Sequence, residues 1–394
     1  MRDKRKIDGS LIAEKRVKKF DKTYRIIISI MFVGFLTICI LINYLKKDDI
    51  YSEVENRNLN AKPSFSLKEF FLGSYTSDFD SYISDQFFGR KEFISLKTKI
   101  QQLGGNNKIN DVYIGKDGQL FEDFKIESDE KINDKIQVMN DFKEMNPNTN
   151  IEFMLIPTAT SVLKDNLPKY APIDNELDYI NKVEEGLDSS IKFINPYKNL
   201  NENSNEYIYY KTDHHWTSDG AYIGYKSFCE ANGIESKEKS DFDELVVSEA
   251  FYGSLSSKVG VYGSNADKVK VYVPKEDNIV VNYVSEQKKV PSLFDSESLN
   301  KKDKYQVFTA GNHPLINIKT ANNLDKKLLI VKDSYANSMI PFLTENYGEI
   351  DVIDLRYYTD SLQDFINTKN ITDILFMYNV NTFNSDDSIF NINE

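Results

Sequence analysis

The chain has 394 residues, 40% hydrophobic and 28% charged, a composition that excludes wholesale disorder and allows a sizeable core. Its net charge of −12 hides two unlike parts: residues 1–47 carry 12 Lys and Arg against 4 Asp and Glu, and the rest carries 37 against 57. A body so acidic repels phosphate backbones, which excludes nucleic acid as its partner. Two cysteines, Cys39 and Cys229, can build neither a four-cysteine zinc module nor a disulfide framework.

From the N-terminus, a basic stub runs into IIISIMFVGFLTICILINYL, residues 26–45, which carries no charge. About 20 apolar residues at ~1.5 Å per residue match the hydrocarbon thickness of a bilayer, so a single transmembrane helix is expected. The run is longer than the core of a cleavable signal and is followed by Lys46, Lys47, Asp48 and Asp49, which reads as an uncleaved anchor. Ten Lys and Arg precede it, so the positive-inside rule puts a tail of residues 1–25 in the cytoplasm and the body outside the cell.

Residues 46–64 have no apolar periodicity and read as a tether to a body of residues 65–394. From Leu67 to Leu103, apolar residues at three and four residue spacing predict amphipathic helices interrupted near Gly89. Two short apolar runs around Asp117-Gly118 predict a hairpin over 112–121. Five β-rich runs follow, at 151–157, 191–197, 327–333, 350–358 and 371–379, and helical periodicity recurs at 174–188, 219–231, 335–346 and 359–368. That alternation predicts a doubly wound parallel α/β sheet. Residues 236–308, with VKVYVP and NIVVNYV, read as a β-rich insertion in it.

Open α/β sheets bind ligands beyond the carboxyl ends of their strands, so chemistry is sought just after the apolar runs. Three places qualify: Thr212-Asp213-His214-His215-Trp216, Gly311-Asn312-His313-Pro314, and Lys332-Asp333-Ser334-Tyr335-Ala336. All three histidines of the chain sit in the first two. A Ser at a strand-to-helix turn offers its hydroxyl at the sheet edge, with the first helical N–H groups pointing at any oxyanion formed there. The competing role is an N-cap, which Asp333 can fill and so release Ser334. A metal site from Asp213, His214, His215 and His313 is disfavoured, because adjacent His side chains diverge, and no metal or other cofactor is expected.

These blocks, together with Glu55-Asn56-Arg57, Asp85-Gln86-Phe87, Val112-Tyr113-Ile114-Gly115, Ile156-Pro157-Thr158 and Ile353-Asp354-Leu355-Arg356-Tyr357, resemble the DHHW protein family. That family is SGNH-hydrolase-like and related to the alginate O-acetyltransferases. The resemblance implies a triad of Ser334 as nucleophile, His215 as general base and Asp213 orienting it, in an SGNH-like α/β domain. Lys332 stands where SGNH hydrolases have the Gly of Gly-Asp-Ser, so their oxyanion hole does not transfer. The Ser334 N–H and the Asn312 side chain are the candidates, and His313 and Tyr335 complete the expected oxyanion or substrate-binding set.

The function so implied is a membrane-anchored extracellular O-acetyltransferase, acting on an exopolysaccharide through an acetyl-serine. Acetyl donors are cytoplasmic, so a polytopic membrane-bound O-acyltransferase is implied as the partner that passes the group across. The alternatives are a carbohydrate esterase with the same triad and a non-catalytic glycan-binding surface module. An acceptor groove at the carboxyl edge is expected, with Tyr207, Tyr209, Tyr210, Trp216 and Tyr335 as its candidate aromatics, although packing is the commoner role for such residues.

Overall fold

The computed structural model describes residues 2–52, 57–262, 266–275, 278–322 and 324–393, with side chains from residue 21 onward. Glu55 and Asn56 of the family resemblance lie outside the described residues. The described chain forms two units, residues 1–52 with 57–93, and residues 94–394.

In the first unit the charge-free run lies inside one helix, α1 (Arg2–Leu45), which also takes in the basic tail expected to stand apart from it. Among the described residues, the Asp21–Leu45 part of α1 is the one helix long and apolar enough to cross a membrane. The apolar periodicity after residue 66 yields α2 (Leu67–Leu72) and α3 (Ser74–Gln86) here, and α4 (Arg90–Leu103), most of which belongs to the second unit. Gly73 at φ +82° and Gly89 at φ +69° make the two breaks, in a backbone region that side chains with a Cβ rarely enter. The expected tether is not loose. The Asp85 carboxylate accepts two bonds from the Arg57 guanidinium, at 2.5 and 3.0 Å, and two more from Asn60, pinning residues 57–60 to the end of α3. Two blocks of the family resemblance, separate in sequence, thus meet through a charge-assisted pair.

The expected hairpin lies in the second unit, after α4. Strands β1 (Lys108–Ile109), β2 (Val112–Ile114) and β3 (Leu120–Glu122) form a small antiparallel sheet, with Asp117 and Gly118 turning the chain at positive φ. Helix α5 (Asp129–Met145) follows, then β4 (Asn150–Ile156), α6 (Glu176–Gly186), β5 (Lys192–Ile194) and α7 (Ser218–Asn232). Next come β6 (Phe242–Phe251), β7 (Asp267–Pro274), β8 (Ile279–Tyr283), β9 (Lys288–Val290) and β10 (Leu315–Thr320). The chain ends on β11 (Lys327–Lys332), β12 (Glu349–Ile353), α8 (Leu362–Lys369) and β13 (Asp373–Asn379).

Eight strands form one mixed sheet in the order β9-β8-β10-β12-β11-β13-β4-β5. The five strands expected from the apolar runs, β12 to β5, are parallel, and β10, β8 and β9 extend them antiparallel. The segment expected as an insertion is therefore divided: β6 and β7 pair on their own, whereas β8 and β9 belong to the main sheet. Side chains of successive residues face opposite ways, so Leu375 and Met377 join one core, with α7, and Phe376 and Tyr378 join the other, with α5, α6 and α8. Both faces are covered, which gives the α/β fold its doubly wound character. The helix expected over 335–346 is replaced by a tight 3₁₀ stretch, Ser334–Ser338, and one short turn, Ile340–Leu343. Pro341 lacks the N–H that a continuous helix would need there, and its ring would clash with the preceding turn.

Candidate active site

Because the five strands are parallel, the residues that follow β4, β11, β12 and β13 share one edge, and Thr158, Ser334, Asp354 and Asn379 all lie on it. Asp333 is the cap that frees its neighbour. Its Oδ1 accepts the Tyr335 N–H at 2.8 Å, and its Oδ2 accepts the backbone and side-chain N–H of Asn379 at 2.7 and 2.6 Å. Ser334 is left with its hydroxyl uncommitted to the helix, and among the described residues no acceptor faces its backbone N–H.

Opposite it, residues 208–217 fold back on themselves, with Tyr209 bridged to Trp216 and the Tyr210 N–H donating to the His215 carbonyl at 3.2 Å. The buried Asp267 carboxylate staples this loop, accepting from Lys211 N–H, Thr212 N–H and the Thr212 hydroxyl at 2.5–2.7 Å and from the Tyr207 hydroxyl. Trp216 lies fully buried beneath, donating its indole N–H to the Tyr335 carbonyl at 3.0 Å. It packs so closely on α7 that a Cβ at Gly224 would fall 2.6 Å from the indole, so only glycine fits there.

The loop delivers His215 with Nε2 at 2.8 Å from Ser334 Oγ and Nδ1 at 2.5 Å from Asp213 Oδ1. Asp213 Oδ1 also accepts the His215 backbone N–H at 3.1 Å, and its Oδ2 accepts the Ser254 N–H at 2.8 Å. Gly253 gives the carboxylate room, since a Cβ there would stand 2.2 Å from the Asp213 Cβ. Burial alone would raise the Asp213 carboxyl. The neighbouring His214 and His215, with the bonds from His215 and Ser254, outweigh it and hold Asp213 below the carboxylate range. Burial lowers His215, His214 lowers it further, and Asp213 opposes both with a smaller effect, so the imidazole is neutral near pH 7. A neutral His with its Nδ1–H on a carboxylate and its Nε2 on a Ser hydroxyl is what general-base activation of that hydroxyl requires.

The other expected site residues fall elsewhere. Asn312 Oδ1 accepts from Lys332 Nζ at 2.7 Å and Asn337 Nδ2 at 3.1 Å. Lys332 is wholly buried against Asp354, and burial lowers it to about 8. His313 pairs with Glu286 at 2.7 Å and packs on Tyr283, and among the described residues it makes no bond to the Ser334 cluster. Tyr335 is 1% exposed and its hydroxyl donates to the His214 carbonyl, so it braces the loop instead of facing a ligand. His214 does not diverge from its neighbour as expected: its ring lies beside the cluster, 3.8 Å from that of His215 between centroids, with Nδ1 at 2.7 Å from Ser254 Oγ. The ligand atoms of Asp213, His214 and His215 lie within 4.8 Å of one another, close enough to share an ion. Both ring nitrogens of His215 are, however, already bonded within the protein.

Tyr305 was not anticipated. Its ring stacks on His215 at 3.7 Å and 9°, and its hydroxyl donates to the Ser334 carbonyl and Ser338 Oγ, both at 3.0 Å. No spacing in the sequence marks it, since it reaches the site from a 3₁₀ turn, Lys304–Val307. The expected aromatic groove is also different: Tyr209, Tyr210, Trp216 and Tyr335 are core, and the Tyr207 hydroxyl is bound by Asp267. The open cavity on this edge, about 490 Å³, is polar, and His214, Glu122, Lys258, Arg356, Asn379 and Asn381 are among its lining.

No curated protein sequence matches the chain. Among solved structures, a DHHW family protein from Eubacterium siraeum is 28% identical over 73% of this chain and 96% of its own, with a TM-score of 0.63. Bacillus cereus PatB1, also solved with a sulfonyl adduct, is 22% identical over 71% of this chain and 98% of its own, with a TM-score of 0.61, a likeness of fold. The family model described as DHHW protein matches residues 109–353, which span the hairpin, the Asp213–Trp216 loop and the Ser334 turn. With more than half of its length so matched, the chain belongs to the DHHW family.

Proposed function

We propose that the chain is a membrane-anchored O-acetyltransferase that transfers an acetyl group to an extracellular polysaccharide through Ser334. The observation that carries the reading is the unbroken bonding from Asp213 through His215 to Ser334. In the first step Ser334 Oγ attacks the acetyl carbonyl of the donor while its proton passes to His215 Nε2. The tetrahedral oxyanion is met by the Ser334 N–H, and its collapse expels the donor's leaving group with the proton from His215. A sugar hydroxyl then gives its proton to His215 and attacks the acetyl carbon, and Ser334 leaves reprotonated. Asp213 keeps the imidazole in the tautomer that both steps need.

The polar cavity lined by His214 supports a hydroxylated acceptor, because sugars need dense hydrogen-bonding groups. Residues 26–45 serve as the membrane span, residues 1–25 lie in the cytoplasm and the body faces outward. A polytopic membrane-bound O-acyltransferase brings the acetyl group across. The test gives the purified protein an artificial acetyl ester with and without exopolysaccharide fragments, followed by mass spectrometry. Slow hydrolysis, an acetyl adduct on Ser334 and acetylated sugar are expected. Fast hydrolysis with no acetylated sugar from any fragment would make it an esterase, and the absence of an adduct under every condition would make it a binding module. For topology, protease added to wall-free cells is expected to digest residues 48–394; their survival, with a cytoplasmic control also intact, would reverse the orientation.

A further inference from the structure

Helices α2 and α3 are built unlike the rest of the chain. No residue of α2 is buried, and the buried residues of α3 are Asp85 and Gln86. The apolar side chains of α2, and Phe65 just before it, stand open, with Phe65 64% exposed, Leu67 66%, Phe71 83% and Leu72 71%, and Ile83 of α3 is exposed too. Helices of 6 and 13 residues are marginal in water unless an apolar face is covered, so this face needs a cover.

Its position says what the cover is. The Phe88 N–H donates to Asn43 Oδ1 at 2.7 Å, the Tyr82 hydroxyl meets the Asp48 carboxylate at 3.1 Å, and Gln86 holds the Asp49 backbone through two 2.9 Å bonds. Asn43 lies in the last turn of α1, which ends at Leu45. These bonds fix the end of α3 at the level where the apolar helix runs out. From there a row of rings, Tyr82, Phe79, Tyr75 and Phe65, continues along the apolar side at centroid spacings of 5.2–6.0 Å. Tyrosine, like the Tyr75 and Tyr82 of this row, concentrates at that depth of a membrane. On the opposite side of α3, at helical spacing, lie Ser77, Asp80, Ser81 and Ser84, all exposed.

We propose that α2 and α3 lie in the membrane–water interface, with Leu67, Phe71 and Leu72 against the acyl chains of the leaflet that α1 leaves. The proposal rests on the reading of α1 as a membrane span. α2 carries one Lys and one Glu and α3 three Asp with no basic residue, so apolar area and not attraction to anionic lipid drives the insertion, and it should be insensitive to salt.

The test uses the full chain reconstituted in phosphatidylcholine vesicles, with acyl-brominated lipid as fluorescence quencher and Trp216, present throughout, as baseline. Tryptophan is introduced singly by Tyr44→Trp at the end of α1, Phe71→Trp on the apolar side and Ser81→Trp on the polar side. Quenching of the Phe71→Trp variant at least half as strong as that of Tyr44→Trp, unchanged in 0.5 M salt, is expected, with Ser81→Trp at baseline. Baseline behaviour of Phe71→Trp with Tyr44→Trp quenched would overturn the proposal and leave the span standing. If Phe71→Trp were then also shielded from aqueous iodide, a second copy of the chain would be the cover. Equal quenching of Ser81→Trp and Phe71→Trp would refute the sidedness, and baseline behaviour of Tyr44→Trp would refute the span itself.

Discussion

Asp213 is the residue whose replacement discriminates best, because its surroundings leave an isosteric amide no good orientation. Its two oxygens accept three N–H donors, the His215 backbone and Nδ1 on Oδ1 and the Ser254 backbone on Oδ2. In Asp213→Asn one oxygen becomes an NH₂. Turned toward Ser254, the NH₂ faces another donor in a buried site, costing ~1–3 kcal/mol of stability, and the charge that stabilises the imidazolium is gone. Turned toward His215, it donates to Nδ1 and forces the proton to Nε2, where it blocks acceptance of the Ser334 proton. Either way acyl transfer should fall by about 10³–10⁴, which at ~1.4 kcal/mol per tenfold is about 4–5.5 kcal/mol of barrier. The assay is the initial rate of acetyl-ester turnover, with the melting temperature and far-UV spectrum of each variant as controls. A folded Asp213→Asn protein within tenfold of the parent would refute the assignment of Asp213 to His215.

Ser334→Ala and His215→Ala should each lose on the order of 10³ or more in rate, since members of such a unit fail together, whereas His214→Ala should lose far less. Equal losses at His214 and His215, read by the same turnover assay, would instead favour a shared ion, and dialysis against a chelator should leave the parent's rate unchanged. With His215 held below its ordinary 6.5 by burial and His214, the base is neutral above that value, so the rate should be flat near pH 7 and fall only at a midpoint under 6.5. A midpoint above 6.5 in the pH–rate profile would contradict the burial argument. Glu176, 1% exposed and bonded to Thr158, is raised from 4.5 to about 7 by burial, so the folded chain holds a proton that the unfolded chain releases. Stability is therefore lost as pH rises from 4.5 to about 7, by about 3 kcal/mol at ~1.4 per unit. Glu176→Gln should gain about that much on the parent between pH 4.5 and 8 in denaturant titrations, and an unchanged difference would show Glu176 to be ionised throughout.

The parallel half of the sheet was legible because strands covered on both faces read as unbroken apolar runs, and 327–333 and 371–379 match β11 and β13 to within two residues. Helix α5 was legible and missed: Ile132, Ile136, Met139 and Phe142 recur at helical spacing and are all buried. The helix over 335–346 failed at Pro341, a local rule that the periodicity overrode. For the site, Asp213, His215 and Ser334 were reachable because they sit in compact blocks with a chemical logic of their own. Tyr305 and Ser254 were not, since each touches the cluster only through tertiary folding. The aromatics failed for another reason: a Tyr or Trp beside a motif reads the same whether it faces solvent or core, and here the loop needs them as its own core.

The segment that looks most like an appendage in the sequence is bound into the site. Ser254 holds one oxygen of Asp213, Asp267 staples the loop at Thr212, and Tyr305 stacks on His215 while bonding the Ser334 carbonyl. All three come from residues 236–308, so Asp213, His215 and Ser334 each take a contact from it. The stacking also bears on the chemistry. Burial makes the neutral imidazole the resting form, which suits a base, yet the same burial penalises the imidazolium that the proposed attack by Ser334 would form. The Tyr305 ring face, 3.7 Å away and nearly parallel, attracts that cation by ~0.5–2 kcal/mol, and the Asp213 carboxylate adds to it. Both strengthen once the proton has moved, so in the proposed reaction they would lower the barrier without making the resting histidine cationic.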